Sequence, residues 1–326
     1  MHTPAHRIDV HHHILPDHWV RAANKFGHVD AGGVAFPQWS PEGAIAMMDR
    51  HGIAAAITSI AAPGVHFGDA AAAKALARSC NELSARLIDD HPDRFGAFAV
   101  LPMPDVDASL DELDYALGTL KLDGVVVLSS YGDRYLGDPA FDAVFAELNR
   151  RKAVVFVHPT VPVSSQSLKL AIPGALIEFV FDTTRAATNL IYSGTMERCP
   201  GLSIILSHAG GTVPYLASRI ALGSVDPTLR ERAPQGAIAY LKRFYYDTAI
   251  SATPYALNSL LELADPSHIL FGSDFPYLPD SMIEASVVGL QGYAGFDAKT
   301  RRAVERDSAL TLFPRLREIG AALAVR

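Results

Sequence analysis

The chain of 326 residues is 49% hydrophobic and 19% charged, which is enough apolar material for a large buried core and far from a disordered composition. A formal charge of −7 without any basic run argues against nucleic acid and anionic membrane surfaces as partners. No stretch of about 18 apolar residues occurs, so a membrane-spanning helix is not expected.

In chain order, short apolar or β-branched runs alternate with longer segments of helical spacing. Arg7–Val10 is the first strand and leads straight into three histidines, in IDVHHHILPD. SPEGAIAMMDRHG then predicts a helix capped by Ser40, opened by Pro41 and stopped at Gly52. Ala54–Ile60 is the second strand, followed by the helical GDAAAAKALARSCNELSARLIDDHPDRFG, and Phe95–Leu101 and Gly124–Leu128 follow as strands. GDPAFDAVFAELNRRK predicts a helix with Asp138 as cap and Pro139 at its first position. Ala153–Val157 comes next, and FDTTRAA, residues 181–187, reads as the start of a helix, with Asp182 its cap and Arg185 paired to it or to a neighbouring chain. Leu202–Leu206, the helical PYLASRIALGS, Phe244–Asp247 and Ile269–Phe271 complete the series.

Eight uniformly apolar strands with helices between them predict a parallel (β/α)8 TIM barrel, read as one domain over residues 1–326. An open doubly wound sheet is the competitor, but no glycine-rich phosphate loop follows the first strand. Cys80 and Cys199 are the only cysteines and lack CxxC spacing. With no signal-peptide stretch in MHTPAHRIDV, the expectation is a cytoplasmic protein without disulfides.

In such a barrel, functional residues sit where strands end at the C-terminal face. Strand 1 ends in Asp9-Val10-His11-His12-His13, strand 5 in His158, strand 6 (SIILSHAGG) in His208 and strand 8 (HILFGSDFPY) in Asp274. Side chains two apart on a strand share a face, so His11 and His13 point together, with Asp9, and His12 points away. One histidine at a strand end is commonly just a satisfied polar group. Several titratable groups in one mouth are costly to bury without a cation or hydrogen bonds to compensate. Three imidazoles and a carboxylate with an open position suit Zn2+, with Mn2+ the alternative. Lys121 lies at the wrong end of strand 4 to bridge a second ion, so one ion per chain is expected, and no organic cofactor.

DxHxH, GDPAFDAVFAELNRRKAVVFVHPT, FDTTRAATNLI, ILSHAGGTVPYLASRI and LFGSDFPY, in this order from Asp9 to beyond Tyr277, resemble the amidohydrolase superfamily. The likeness is to its decarboxylase branch, which includes aminocarboxymuconate semialdehyde, γ-resorcylate and 6-methylsalicylate decarboxylases, and is greatest to the last. The resemblance implies metal ligation by His11, His13, His158 and Asp274, and catalysis by His208. It implies too that Arg219 reaches the substrate carboxylate of a neighbouring subunit, hence a homodimer or tetramer. The semialdehyde decarboxylase's arginine early in the second helix has no counterpart in SPEGAIAMMD, which favours a small aromatic acid with one carboxylate.

The expected reaction is loss of CO2 from an ortho-hydroxybenzoate, 6-methylsalicylate giving 3-methylphenol in the leading case. Carboxylate and phenolate would chelate one metal, and the ring carbon bearing the carboxyl would be protonated before CO2 leaves. His208 and Asp274 are the titratable residues placed for that proton, one as donor and the other as its relay. Trp39, Tyr131 and Phe275 are candidates to flank the ring, with ordinary packing the alternative for each. The apolar stretches GGVAFPQW and AAPGVHF are candidates to cover it. Hydrolysis of a lactone or amide by a metal-activated water is the rival reading, and a catalytically silent scaffold a more distant one.

Overall fold

Strands buried on both faces select apolar residues at every position, and β2 (Ile53–Ser59) and β4 (Gly124–Leu128) are buried throughout. With β1 (Arg7–His13), β3 (Phe95–Val100), β5 (Val154–His158), β6 (Ser203–Leu206), β7 (Tyr245–Asp247) and β8 (Ile269–Leu270), they form an eight-stranded parallel sheet in chain order. These positions come from a computed structural model that describes residues 6–317. The sheet closes on itself. Val10 N–H donates to Phe271 O at 2.9 Å, Asp274 N–H to His11 O at 2.8 Å and His13 N–H to Phe275 O at 2.7 Å.

The caps form as the sequence predicts, each side chain satisfying an amide that the first helical turn leaves free. Ser40 Oγ accepts from Gly43 N–H at 3.1 Å, ahead of the helix Pro41–Arg50. Asp138 accepts from Ala140 N–H at 2.9 Å, but it opens a 3-10 turn over Pro139–Phe141 before the α-helix Asp142–Arg150. One expectation is corrected. The helix bearing FDTTRAA runs over Gly174–Tyr192, so Asp182 lies in its middle, fully buried, and does not cap it.

Two antiparallel ribbons, Asp30–Ala31 with Val34–Ala35 and Ser130–Tyr131 with Arg134–Tyr135, follow β1 and β4 at the mouth. At the opposite end, Arg7 begins β1 and donates from Nε to Glu305 Oε1 at 2.9 Å. The His6 Nε2 to Glu305 Oε2 contact is 2.7 Å. That buried carboxylate ties the first strand to the helical segment Ala303–Asp307. Inside, the Phe98 and Phe156 rings stack with centroids 5.3 Å apart, and Phe156 meets the edge of His11 at 4.9 Å. Phe156 and His158 are two apart on β5, so one supplies the apolar floor and the other the polar group above it. Among the described residues no helix is long and apolar enough to cross a membrane.

Candidate metal centre and its cavity

β1 does not alternate evenly. Asp9 pairs with Ala56 while His12 pairs with Thr58, so three steps along β1 match two along β2. Such a register shift, like a β-bulge, resets the side-chain phase. His11 and His13 still point together, their Nε2 atoms 3.0 Å apart. Asp9 does not join them, against the expectation from simple alternation. Its Oδ2 accepts from Ser273 Oγ at 2.5 Å and meets His12 Nδ1 at 3.1 Å, while Oδ1 accepts from the Ser273 and His11 amides. His12 is buried against the rings of Phe275 and Phe95 and stays outside the cluster.

His158 from the end of β5 and Asp274 from just beyond β8 complete a group of four buried residues. One ligand atom from each of His11, His13, His158 and Asp274 lies within 4.8 Å of all the others. Asp274 Oδ1 is 3.3 Å from His11 Nε2 and 3.2 Å from His13 Nε2. Each ring has its Nδ1 engaged elsewhere: His11 with Asp247 Oδ2 at 2.7 Å, His13 with Ser59 Oγ at 3.0 Å and His158 with Pro159 O at 2.8 Å. The nitrogens left for a ligand are the three Nε2 atoms. Fixing the outer nitrogen sets ring orientation and tautomer, the arrangement that metal-binding imidazoles use. Three imidazoles and one carboxylate with their donors converged in this way fit one divalent ion.

The electrostatics of the cluster point the same way. Burial disfavours a charged His11, but the Asp247 and Asp274 carboxylates outweigh it and push the pKa up to about 10. Burial brings His13 down to about 4, with positive His11 adding to the effect. Burial and its three imidazole neighbours also hold His158 well below the usual range. Asp274, despite a burial penalty, is held well below the usual carboxylate range by His11 and its neighbouring imidazoles. The cluster therefore keeps a carboxylate and two neutral imidazoles and stabilises positive charge at the remaining imidazole, the preference of a cation site.

His208 enters on a strained turn. His208, Ala209, Gly210 and Gly211 all have positive φ, from 53° to 73°, which side-chain-bearing residues adopt only under constraint. A Cβ on Gly211 would overlap the Val180 carbonyl oxygen, and one on Gly210 would sit 2.6 Å from the Tyr246 ring. The turn brings His208 Nε2 to 3.6 Å from Asp274 Oδ2, and its Nδ1 is buried without a hydrogen-bond partner.

His158, His208 and Asp274 open onto a cavity of about 190 Å³. Its remaining walls are mostly apolar, Phe179, Val180, Ile250 and Leu278 among them, with no lysine or arginine. Val34 and Ala61 contribute from the two loop stretches expected to cover a ring, and Ala31 lies just ahead of the first.

Over residues 8–315 the chain matches the amidohydrolase family. The protein is an amidohydrolase-family member. A 6-methylsalicylic acid decarboxylase of Penicillium expansum is 41% identical over 318 residues, covering 96% of this chain and 98% of the relative. The crystal structure of an amidohydrolase II superposes with a TM-score of 0.89 at 28% identity, covering 94% of this chain and 99% of the other. A 2,6-dihydroxybenzoate decarboxylase in complex with 2,6-dihydroxybenzoate gives 0.79 at 25%, covering 95% and 99%.

In this member of the amidohydrolase family the other expected site residues lie outside the cavity wall. The Tyr131 hydroxyl accepts from Leu128 N–H at 2.9 Å, and the residue lines a neighbouring cavity. Trp39 is half-buried against the main core, and the Phe275 ring lies 4.9 Å from His12. Arg219 is exposed on the helix Val213–Ala221.

Two residues escaped the sequence reading. Tyr277 lines the cavity, its ring 5.5 Å from His13 and its buried hydroxyl without a partner. Asp247 closes β7 beneath His11. Both had a signal, since Asp247 is a carboxylate ending a strand in FYYDTA and Tyr277 follows Asp274 by three residues.

Proposed function

We propose that the protein is a metal-dependent, non-oxidative carboxy-lyase acting on an ortho-hydroxybenzoate, with 6-methylsalicylate to 3-methylphenol and CO2 as the leading reaction. The observation that carries this reading is the pairing of the four-ligand cluster with a small apolar cavity that offers no cationic side chain. One carboxylate finds its counter-charge at the cluster; a second would be buried unpaired, at a cost of several kcal/mol. The cavity of about 190 Å³ suits a single substituted ring, since about 150 Å³ accommodates benzene. The 41% identical relative named for 6-methylsalicylic acid supports the same substrate class and favours decarboxylation over the hydrolase alternative, which would use the same ligand set.

A divalent ion held by His11, His13, His158 and Asp274, zinc with manganese the alternative and one per chain, would neutralise the substrate anion and acidify an adjacent hydroxyl. The chain's own residues do the rest. Apolar Phe179, Val180, Ile250 and Leu278 hold the ring and exclude water. Burial pushes the Tyr277 phenol upward, so it stays a neutral hydrogen-bond donor facing the substrate. His208 and Asp274, 3.6 Å apart, move the proton, one delivering it to the ring carbon that bears the carboxyl group and the other resupplying it. CO2 then leaves from a dearomatised ring and aromaticity is restored. No organic cofactor enters this scheme.

The working unit in this reading is a homodimer or tetramer. Arg219 makes no ion pair among the described residues, and exposed Tyr215, Leu222 and Val225 lie along the same segment. The two buried free cysteines suit a reducing, cytoplasmic setting. The test is incubation with 6-methylsalicylate in deuterated water. Trapped CO2 and 3-methylphenol with one deuterium where the carboxyl stood are expected. Turnover of the para-hydroxy isomer at the same rate, or product without ring deuterium, overturns the mechanism.

A further inference from the structure

Asp247 is the last residue of β7 and is fully buried, yet no lysine or arginine pairs with it among the described residues. Its two oxygens serve different parts of the site. Oδ2 meets His11 Nδ1 at 2.7 Å. Oδ1 accepts from the backbone N–H of His208 at 2.9 Å and of Ala249 at 3.0 Å. One carboxylate thus touches the outer nitrogen of a cluster imidazole, the main chain of the strained turn that carries His208, and the loop that carries Ile250.

We propose that Asp247 is a positioning residue that sets the tautomer of His11 with one oxygen and the placement of His208 with the other. This rests on the metal-site reading above. A carboxylate can only accept, so the His11 ring facing it must carry a proton on Nδ1, which makes Nε2, toward His13 and Asp274, the nitrogen that is bared for a metal. Oδ1 acts independently of the tautomer. By bonding to the His208 and Ala249 amides it holds a backbone conformation that the φ of 53° at His208 would otherwise oppose.

Asp247→Asn separates the two roles. To keep accepting from both amides, the new side chain must place its carbonyl oxygen at the Oδ1 position. Its NH2 then faces His11 Nδ1, which has to become the bare nitrogen, and the ring proton moves to Nε2, where a metal would bind. Shape and the His208 contact survive, but the tautomer is wrong.

The experiment measures zinc affinity of metal-free protein by competition with a chelator, alongside the ring 15N shifts of His11. Wild type is expected to bind zinc and to show a protonated Nδ1 at His11. Asp247→Asn is expected to fold, to bind zinc about 10–100-fold more weakly, and to recover more turnover at saturating zinc than Asp247→Ala does. Asp247→Ala, which abandons the amides as well, should lose turnover even at saturating zinc. Wild-type zinc affinity in folded Asp247→Asn, or wild-type turnover in zinc-saturated Asp247→Ala, overturns the inference. So does a His11 whose Nδ1 is found without a proton in the wild type, which decides the matter even if neither variant folds. Failure of the wild type to bind zinc instead removes the metal reading, while the proton on His11 Nδ1 still tests Asp247.

Discussion

The carboxylate of Asp182 accepts from the backbone N–H of Thr160 at 3.0 Å, two residues beyond His158. It also accepts from Ser130 Oγ at 3.2 Å, so one buried side chain joins the loops after β4 and β5 to the helix that supplies Phe179 and Val180. Thr184, one half-turn further on, accepts from Thr212 N–H at 2.9 Å, pinning the same helix to the turn after His208. Asp182→Ala should therefore cost about 1–3 kcal/mol for the donors left unsatisfied, and raise KM by letting the cavity wall drift. Thermal unfolding and steady-state kinetics would show it; unchanged melting and unchanged KM together would rule out the clamp.

Removal of a ligand should separate the three consecutive histidines. His11→Ala and Asp274→Ala are expected to lose bound metal and activity. His12→Ala should retain the metal, because His12 faces Asp9 and Phe275. Elemental analysis of the purified variants decides this, and metal loss confined to His12→Ala would mean that the cluster is misassigned.

His208 is not one of the four clustered ligands. His208→Ala should keep its metal and lose turnover by about 10²–10⁴-fold, the usual contribution of a positioned proton donor or acceptor. A variant with full metal and wild-type turnover would remove His208 from the reaction.

Glu305 gives a pH-dependent contribution to stability. Its burial works against ionisation, but His6 and Arg7 more than offset it, and the carboxyl lies below its ordinary value of 4.5. Stabilisation from a depressed carboxylate is present above the unfolded value and is lost as pH falls through the folded one. Glu305→Gln should cost about 3–5 kcal/mol near neutrality, because it strands buried Arg7. The gap to wild type should narrow as the pH drops below 4.5. A gap that stays constant across that range would place the effect in packing alone.

If Arg219 serves a neighbouring subunit, mixing two inactive variants restores activity. Arg219→Ala combined with Asp274→Ala should form hybrids in which one site regains both an intact cluster and a partner's arginine. Sedimentation of the wild type as a monomer at working concentration would sink this arrangement.

The barrel was legible because each strand is a short apolar run with a polar residue at its C-terminal end, and the parallel fold forces those ends to one mouth. His11, His13, His158, His208 and Asp274 are placed together at the mouth by that rule, since their meeting follows from strand order. What the sequence could not reveal was local phase and long-range pairing. Asp9 turns to Ser273, 264 residues away, across a register shift in β1, so alternation misplaced Asp9 while His11 and His13 still point together. Asp182 looked like a helix cap because aspartate favours that position, yet its partners Ser130 and Thr160 come from other loops. Tyr131 looked like a wall of the site, but its hydroxyl satisfies a backbone amide three residues back. Periodicity along each strand was enough to place these residues at the mouth. Which of them converge as a ligand set, which face each other and which hold the others in place rests on hydrogen bonds between segments far apart in the chain, and so on the folded structure.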